Sequence, residues 1–223
     1  MEGLKRMVGT RVNRKQGITL DMLLDILAYL RCSEIAYRAA GQHSNADIAL
    51  TKQVIFIIAW AGMRRGAEMW LLKSGQMGLR RRHISFLRGS YVRLFIQSMK
   101  NDVYSEVYTV DLSWVTGSGI EIGATIVRYL GRYDASNLSP ECPLFLQSHH
   151  KGGFYHTPGS VSSFASVVKD TLPLVFVEMR TFPQLLAKFS FHSLRRGGDS
   201  WAYRQGVPLK SIMSHGIWKS KQG

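Results

Sequence analysis

The sequence predicts an α+β domain that is mainly helical and carries one small antiparallel β-sheet. Three observations predict it. Apolar residues recur at helical spacing over most of the chain. Period-two alternation rich in Val, Ile, Phe, Tyr and Thr is confined to residues 83–112. An apolar run from Val54 to Met63 wraps all sides of one segment, as a helix at the centre of a core requires. With 223 residues, 45% of them hydrophobic and 11% aromatic, the chain has the length of one domain and enough apolar surface to bury a core.

Residues 1–17 interleave Lys5, Arg6, Arg11, Arg14 and Lys15 with Gly3, Gly9 and Gly17, the composition of a basic linker or arm, and residues 18–223 form the body. Thr19 is placed to cap a first helix, in which Leu20, Leu23, Leu24, Leu27 and Leu30 share a face and which is expected to end near Arg31. After a polar stretch at Gly41 to Asn45, the buried helix runs from Asp47 to about Met63, and a third helical piece from Arg65 to about Lys73. Arg80, Arg81, Arg82 and His83 make a basic turn before the strands, which are expected at 83–86, 91–97 and 103–112 with breaks at Arg88-Gly89-Ser90 and Met99 to Asp102. Helices resume at about 120–130 and 160–172, and between them the stretch 137–156 is loop-rich, with Pro140, Pro143, Gly152 and Gly153. A last pair spans 191–205, closed by Gly206, and Pro208 to about Met213.

Lys and Arg number 29 against 15 Asp and Glu, a net charge of +14, which on a globular body points to a polyanionic partner and to nucleic acid first. The longest apolar run is about half of what a bilayer-spanning helix needs. The first residues lack the apolar stretch of a secretory signal, and Cys32 and Cys142 make neither a disulfide framework nor a zinc site, so an intracellular protein without metal or other cofactor is expected.

Four separated segments carry the chemistry. Gly62-Met63-Arg64-Arg65-Gly66-Ala67-Glu68 stands at the turn from the buried helix into the next. Lys100 stands at the tip between two strands. His192-Ser193-Leu194-Arg195-Arg196-Gly197-Gly198 opens a helix, and Gly216-Ile217-Trp218-Lys219-Ser220 follows the last one. Taken singly, His-x-x-Arg arises by chance in a chain this rich in His and Arg, an Arg/Glu pair at a helix start is commonly a surface ion pair, and a Lys at a hairpin tip is commonly solvated. The extended run from His192 through Gly198, continued by Ala202, Gly206, Val207, Pro208, Gly216 and Trp218, is far more specific than any of them.

In this order and context the segments resemble the catalytic domain of the tyrosine recombinases, the phage-integrase family, and among them the versions carried by eukaryotic mobile elements. The resemblance covers about residue 18 to the C-terminus. It implies an integrase-like catalytic core acting on double-stranded DNA, with Arg65 starting the signature and Glu68 supporting it. Lys100, His192, Arg195 and Trp218 follow as the other catalytic positions, and Arg64, Arg80, Arg81, Arg82, Arg196 and Lys219 as DNA contacts. It further implies assembly as a homo-oligomer, a synaptic tetramer on DNA, and a nuclear location in a eukaryotic host. The residue types suit that chemistry. Negative charge gathers on the non-bridging oxygens of a phosphodiester in its pentacoordinate transition state, and two planar guanidiniums clamp them by paired, charge-assisted hydrogen bonds. An imidazole and an ammonium move the protons without a metal, and an indole N–H supplies a further donor.

One departure bears on activity. Family members place the nucleophilic Tyr eight or nine residues beyond the Trp218 position, past Gly223, so these residues are expected to bind DNA without cutting it. Tyr203 is no ready substitute, since it lies eight residues after Arg195, about 12 Å along one helix. The alternative to a recombinase domain is a decayed or domesticated module that keeps the clamp and basic face for binding alone.

Overall fold

The computed structural model describes residues 15–69, 78–96, 108–158 and 161–216, the side chains of 67–68, 156–158 and 161–164 excepted. Helix α1 (Leu20–Ala39) starts where Thr19 accepts a hydrogen bond from the Met22 amide, and buries Leu23, Ile26 and Leu30 against helix α2 (His43–Ala61). α2 is buried on nearly every side from Leu50 to Trp60 and packs on α1, on helix α4 (Ile122–Asp134) and on helix α7 (His192–Arg204). The uniformly apolar run is thus the central rod of the core.

After a four-residue helix α3 (Gly66–Met69) and a 3-10 turn (Arg81–His83), strands β1 (Ile84–Leu87), β2 (Tyr91–Ile96) and β3 (Tyr108–Ser113) form an antiparallel meander in that order. Its register pairs Leu87 with Tyr91 and Leu94 with Val110, so Val92, Leu94, Ile96, Val110 and Leu112 face the core while Arg93 and Asp111 pair on the outer side. The 88–90 turn is tight, with Arg88 and Gly89 both at positive φ. β4 (Leu146–Ser148) and β5 (Phe154–Pro158) follow as a separate hairpin, then helices α5 (Val161–Val175) and α6 (Val177–Thr181), a 3-10 stretch (Pro183–Lys188), α7, and helix α8 (Leu209–His215).

The mainly helical class with a small antiparallel sheet is what the structure shows. One expectation is corrected and two are sharpened. α1 continues eight residues past Arg31, because Glu34, which interrupts the apolar pattern, is buried among Arg31, Arg38, Arg128 and Gln53. The stretch 137–156 is not all loop: it contributes β4 and the start of β5, whose Leu146 and Phe154 enter the core. Residues 15–17 are not a free arm, since the Gln16 amide donates to the Lys188 carbonyl and Arg196 donates to the Lys15 carbonyl at 2.9 Å.

Candidate functional site

The site is built at the C-terminal end of α2. The Arg64 amide returns to the Ala59 carbonyl and the Met63 amide to that of Trp60, the pair of bonds that closes a helix when the next residue turns left-handed. Here that residue is Met63 at φ 52, a strained position for a side chain. Gly62 makes the turn possible: a Cβ there would stand 2.6 Å from the Ile58 carbonyl oxygen and 3.2 Å from the Arg64 Cγ. The reversal swings Arg64 inward to full burial, 0% exposed, where its guanidinium donates to the Gly62 and His215 carbonyls, while Arg65 points to solvent.

Helix α7 brings the second cation. Gly197 and Gly198 let it lie directly on the end of α2: a Cβ at Gly197 would stand 1.9 Å from the Ile18 carbonyl oxygen and one at Gly198 2.1 Å from that of Trp60. Trp60 secures the junction by donating its indole N–H to the Ile18 carbonyl at 2.8 Å. Arg195, 2% exposed, then donates to the Gly216 carbonyl at 3.0 Å. Arg64 and Arg195 therefore end on consecutive carbonyls, whose Cα atoms are about 3.8 Å apart. These carbonyls close α8, so both guanidiniums meet the negative end of a helix.

His192 sits exposed at the start of α7 with its pKa lowered, first by partial burial and then by the charges of Arg195, Arg65 and Arg196. With its pKa lowered, the imidazole stays neutral at physiological pH and is available to take a proton. Asp199, one turn beyond Arg195, is pushed up to about 6 by burial against the opposing pull of Arg195 and Arg64. His215 at the end of α8 is held below its usual range by burial, and its Nε2–H donates to the Ala61 carbonyl at 2.9 Å.

Of the residues singled out in the sequence, the structure brings Arg64, Arg65, His192, Arg195 and Arg196 to one end of α2. Lys100, Trp218 and Lys219 lie outside the described residues, as does the side chain of Glu68. Arg80, Arg81 and Arg82 do not form an open basic turn. Arg80 and Arg82 both pair with Glu141, the latter at 2.9 Å, and Arg81 grips Asp134 through two bonds of 3.1 and 3.3 Å. Tyr203 is 67% exposed on α7 and lines a surface groove with Asp199, Leu209 and Ile212. Two features escaped the sequence reading: the depth to which Arg64 is buried, signalled by the Gly62-Met63 helix stop just before it, and His215, signalled by its place before the helix-closing Gly216. Among the described residues no group of three or more His, Cys, Asp or Glu stands ready to hold a metal ion, and no helix is long and apolar enough to cross a membrane.

No family model matches the sequence, and no curated protein is similar to it. Among solved structures, the chain is similar to a lambda integrase(75–356) dimer bound to a COC' core site, at 14% identity and a TM-score of 0.44 over 98% of this chain and 62% of that one. It is similar in the same measure to a lambda integrase dimer bound to a COC' core site, of which it spans 49%.

Proposed function

We propose that this chain is a DNA-binding catalytic domain of the tyrosine recombinase type, of the kind found in eukaryotic mobile elements, with Arg64 and Arg195 as its phosphate clamp. The observation that carries the reading is the burial of these two guanidiniums on consecutive carbonyls beside His192. Two planar guanidiniums held in one place near an imidazole suit the paired, charge-assisted hydrogen bonds that a phosphodiester accepts. In this assignment Arg64 takes the role that the spacing to Glu68 gave to Arg65, and Arg65 becomes an outer contact that adds positive potential.

The reaction the site suits is transfer of a DNA phosphodiester to a tyrosine. The phenol oxygen attacks phosphorus, the bond to the 5′ oxygen breaks, a 3′-phosphotyrosyl link forms, and the departing oxygen leaves as a 5′-hydroxyl. The phenol gives up one proton and the leaving oxygen takes one. His192, neutral at physiological pH, suits the first transfer, and Lys100 the second. Trp218 adds an indole donor to the phosphate in this reading, and the family's spacing puts the attacking Tyr beyond the Trp218 position. Arg196 and Lys219 extend the basic face along the duplex.

The test is titration of a fluorescent 30-bp duplex. Binding is expected to weaken steeply with salt, with a log–log slope of about −0.9 for each phosphate engaged. Arg64→Ala and Arg195→Ala each weaken it about tenfold, and Arg65→Ala about twofold. Residues 1–223 form no covalent adduct with DNA on a denaturing gel. Wild-type affinity in both Arg64→Ala and Arg195→Ala overturns the clamp, and an adduct from residues 1–223 overturns the assignment of the nucleophile.

A further inference from the structure

Resting on that reading, we infer that His215 is a positioning residue that sets the aim of both clamp arginines through the peptide units it precedes. α8 has only seven residues, too few to hold a helix by itself, so the place of its C-terminal carbonyls depends on tertiary anchors. Its apolar anchor is Ile212, buried against Met63 and Ala202. Its polar anchor is His215, whose Nε2–H reaches the last turn of α2 at the Ala61 carbonyl, 2.9 Å away. The main chain of the same residue turns back to α2: the His215 carbonyl accepts from Arg64, three residues beyond Ala61.

Residue 215 therefore closes a loop of contacts with the segment 61–64, donating from its ring and accepting on its carbonyl. The next carbonyl, that of Gly216, accepts from Arg195 at 3.0 Å. Without the ring donor, the end of α8 is released from α2, and the two acceptors that fix the guanidiniums shift together. The ring borders a cavity of about 240 Å³ shared with Trp60, Met63, Asp111 and Trp201. His215 touches no DNA in this assignment, and its effect passes through Arg64 and Arg195.

The experiment is a double-mutant cycle read as affinity for the same 30-bp duplex, at a temperature where circular dichroism shows each variant folded. His215→Leu, which removes the donor, is expected to weaken binding about fivefold, and His215→Gln, whose amide reaches the Ala61 carbonyl, to stay within about twofold of wild type. In an Arg195→Ala, Arg64→Ala background His215→Leu adds less than about twofold, because the groups it positions are gone. Should His215→Leu not fold, His215→Asn takes its place, its amide being too short to reach the carbonyl. Wild-type affinity in the donor-less variant overturns the inference, as does an equal loss in the background lacking both arginines. Loss of affinity in Arg64→Ala and Arg195→Ala alongside wild-type affinity in His215→Leu leaves the clamp standing and removes only His215. Wild-type affinity in the arginine variants removes the clamp itself.

Discussion

At the N-terminal end of α2 the deeply buried charge is a carboxylate. Asp47, fully buried, accepts from Arg38 at 2.9 Å, from Arg132 at 3.1 and 3.2 Å, and from the Gly153 amide. At the other end of the rod, about 21 Å away along its axis, the buried charges are the guanidiniums of Arg64 and Arg195, whose hydrogen bonds described above go to main-chain carbonyls. Asp47 joins α1, α2, α4 and the β4–β5 hairpin by opposite charges that meet, and its arginines keep their outer faces in water. The first arrangement ties four elements together through one shared carboxylate, and the second ties α2 and α7 to the end of α8 through main-chain carbonyls; in the proposed function it is the second that receives the phosphate.

The largest expected effect breaks the comparison at Asp47. Its pKa is lowered: burial pushes it up, but the hydrogen bonds from Arg132, the Gly153 amide and Arg38, with the charge of Arg132, outweigh that. Asp47→Ala leaves two arginines without their shared partner and is expected to cost about 3 kcal/mol, a fall in Tm of about 6–12 °C, with DNA affinity within twofold of wild type. Arg195→Met is expected to show the reverse: a Tm within about 3 °C of wild type, since removing a buried cation relieves desolvation, and DNA affinity reduced about tenfold. The sign with pH follows from the lowered pKa. Stability from Asp47 is fully present above its ordinary value of 3.8 and is lost as pH falls through the lower folded value, so wild type and Asp47→Ala converge in acid. Equal Tm at pH 7 for Asp47→Ala and wild type contradicts the structural role.

A middle-sized effect sharpens the arginine end. Asp199 is an acid whose folded pKa is raised to about 6. Its contribution to stability is therefore fully present below its ordinary 3.8 and lost as pH rises through about 6, so at pH 7.5 its ionised form is a liability. Asp199→Asn is expected to raise Tm at pH 7.5 by about 2–4 °C, close to 1 kcal/mol after discounting for solvent screening, and to leave it unchanged at pH 3.5. The carboxylate also offsets the clamp charge, so the same variant binds DNA about twofold more tightly at pH 7.5 and matches wild type at pH 5. Parallel Tm profiles across that range for wild type and variant contradict the raised pKa.

How much of this was legible beforehand differs between the two ends for a physical reason. The central rod and the meander follow from apolar spacing, which local sequence records directly: Val92, Leu94 and Ile96 alternate, and Val54 through Trp60 are apolar without a break. Arg195, His192 and the paired glycines were legible because one continuous segment holds them. The Asp47 and Glu34 networks were not, because Arg128, Arg132 and Gly153 lie 85 or more residues away in sequence from the carboxylates they meet and read as ordinary surface residues. Arg64 and Arg65 were both visible as candidates. The choice between them depends on a single left-handed residue, Met63, which no periodicity reveals. The β4–β5 hairpin was hidden by Gly152 and Gly153, whose positive φ values of 90° and 79° serve its turn.

The smallest expected effect concerns the turn at Arg80–Arg82, which lies between the two cases. Its charges are met, as at Asp47, but on the surface: the Glu141 side chain is 52% exposed and that of Arg82 44%. Exposed pairs of this kind contribute about 0–1 kcal/mol, so Glu141→Gln is expected to move Tm by less than about 3 °C. It frees a guanidinium for phosphate, and if Arg82 serves as the sequence reading assigns it, the salt dependence of DNA binding steepens by about one unit of log–log slope, the value of one added contact. Arg82→Ala in the Glu141→Gln background then returns the slope to that of wild type. An unchanged slope in Glu141→Gln assigns the turn to the structural side of the comparison, with Arg80 and Arg82 tying residues 80–83 to the 139–143 loop and nothing more. The readout is the slope and not the affinity at one salt concentration, because a change of net charge alone shifts affinity through the long-range field, whereas the slope counts phosphates engaged.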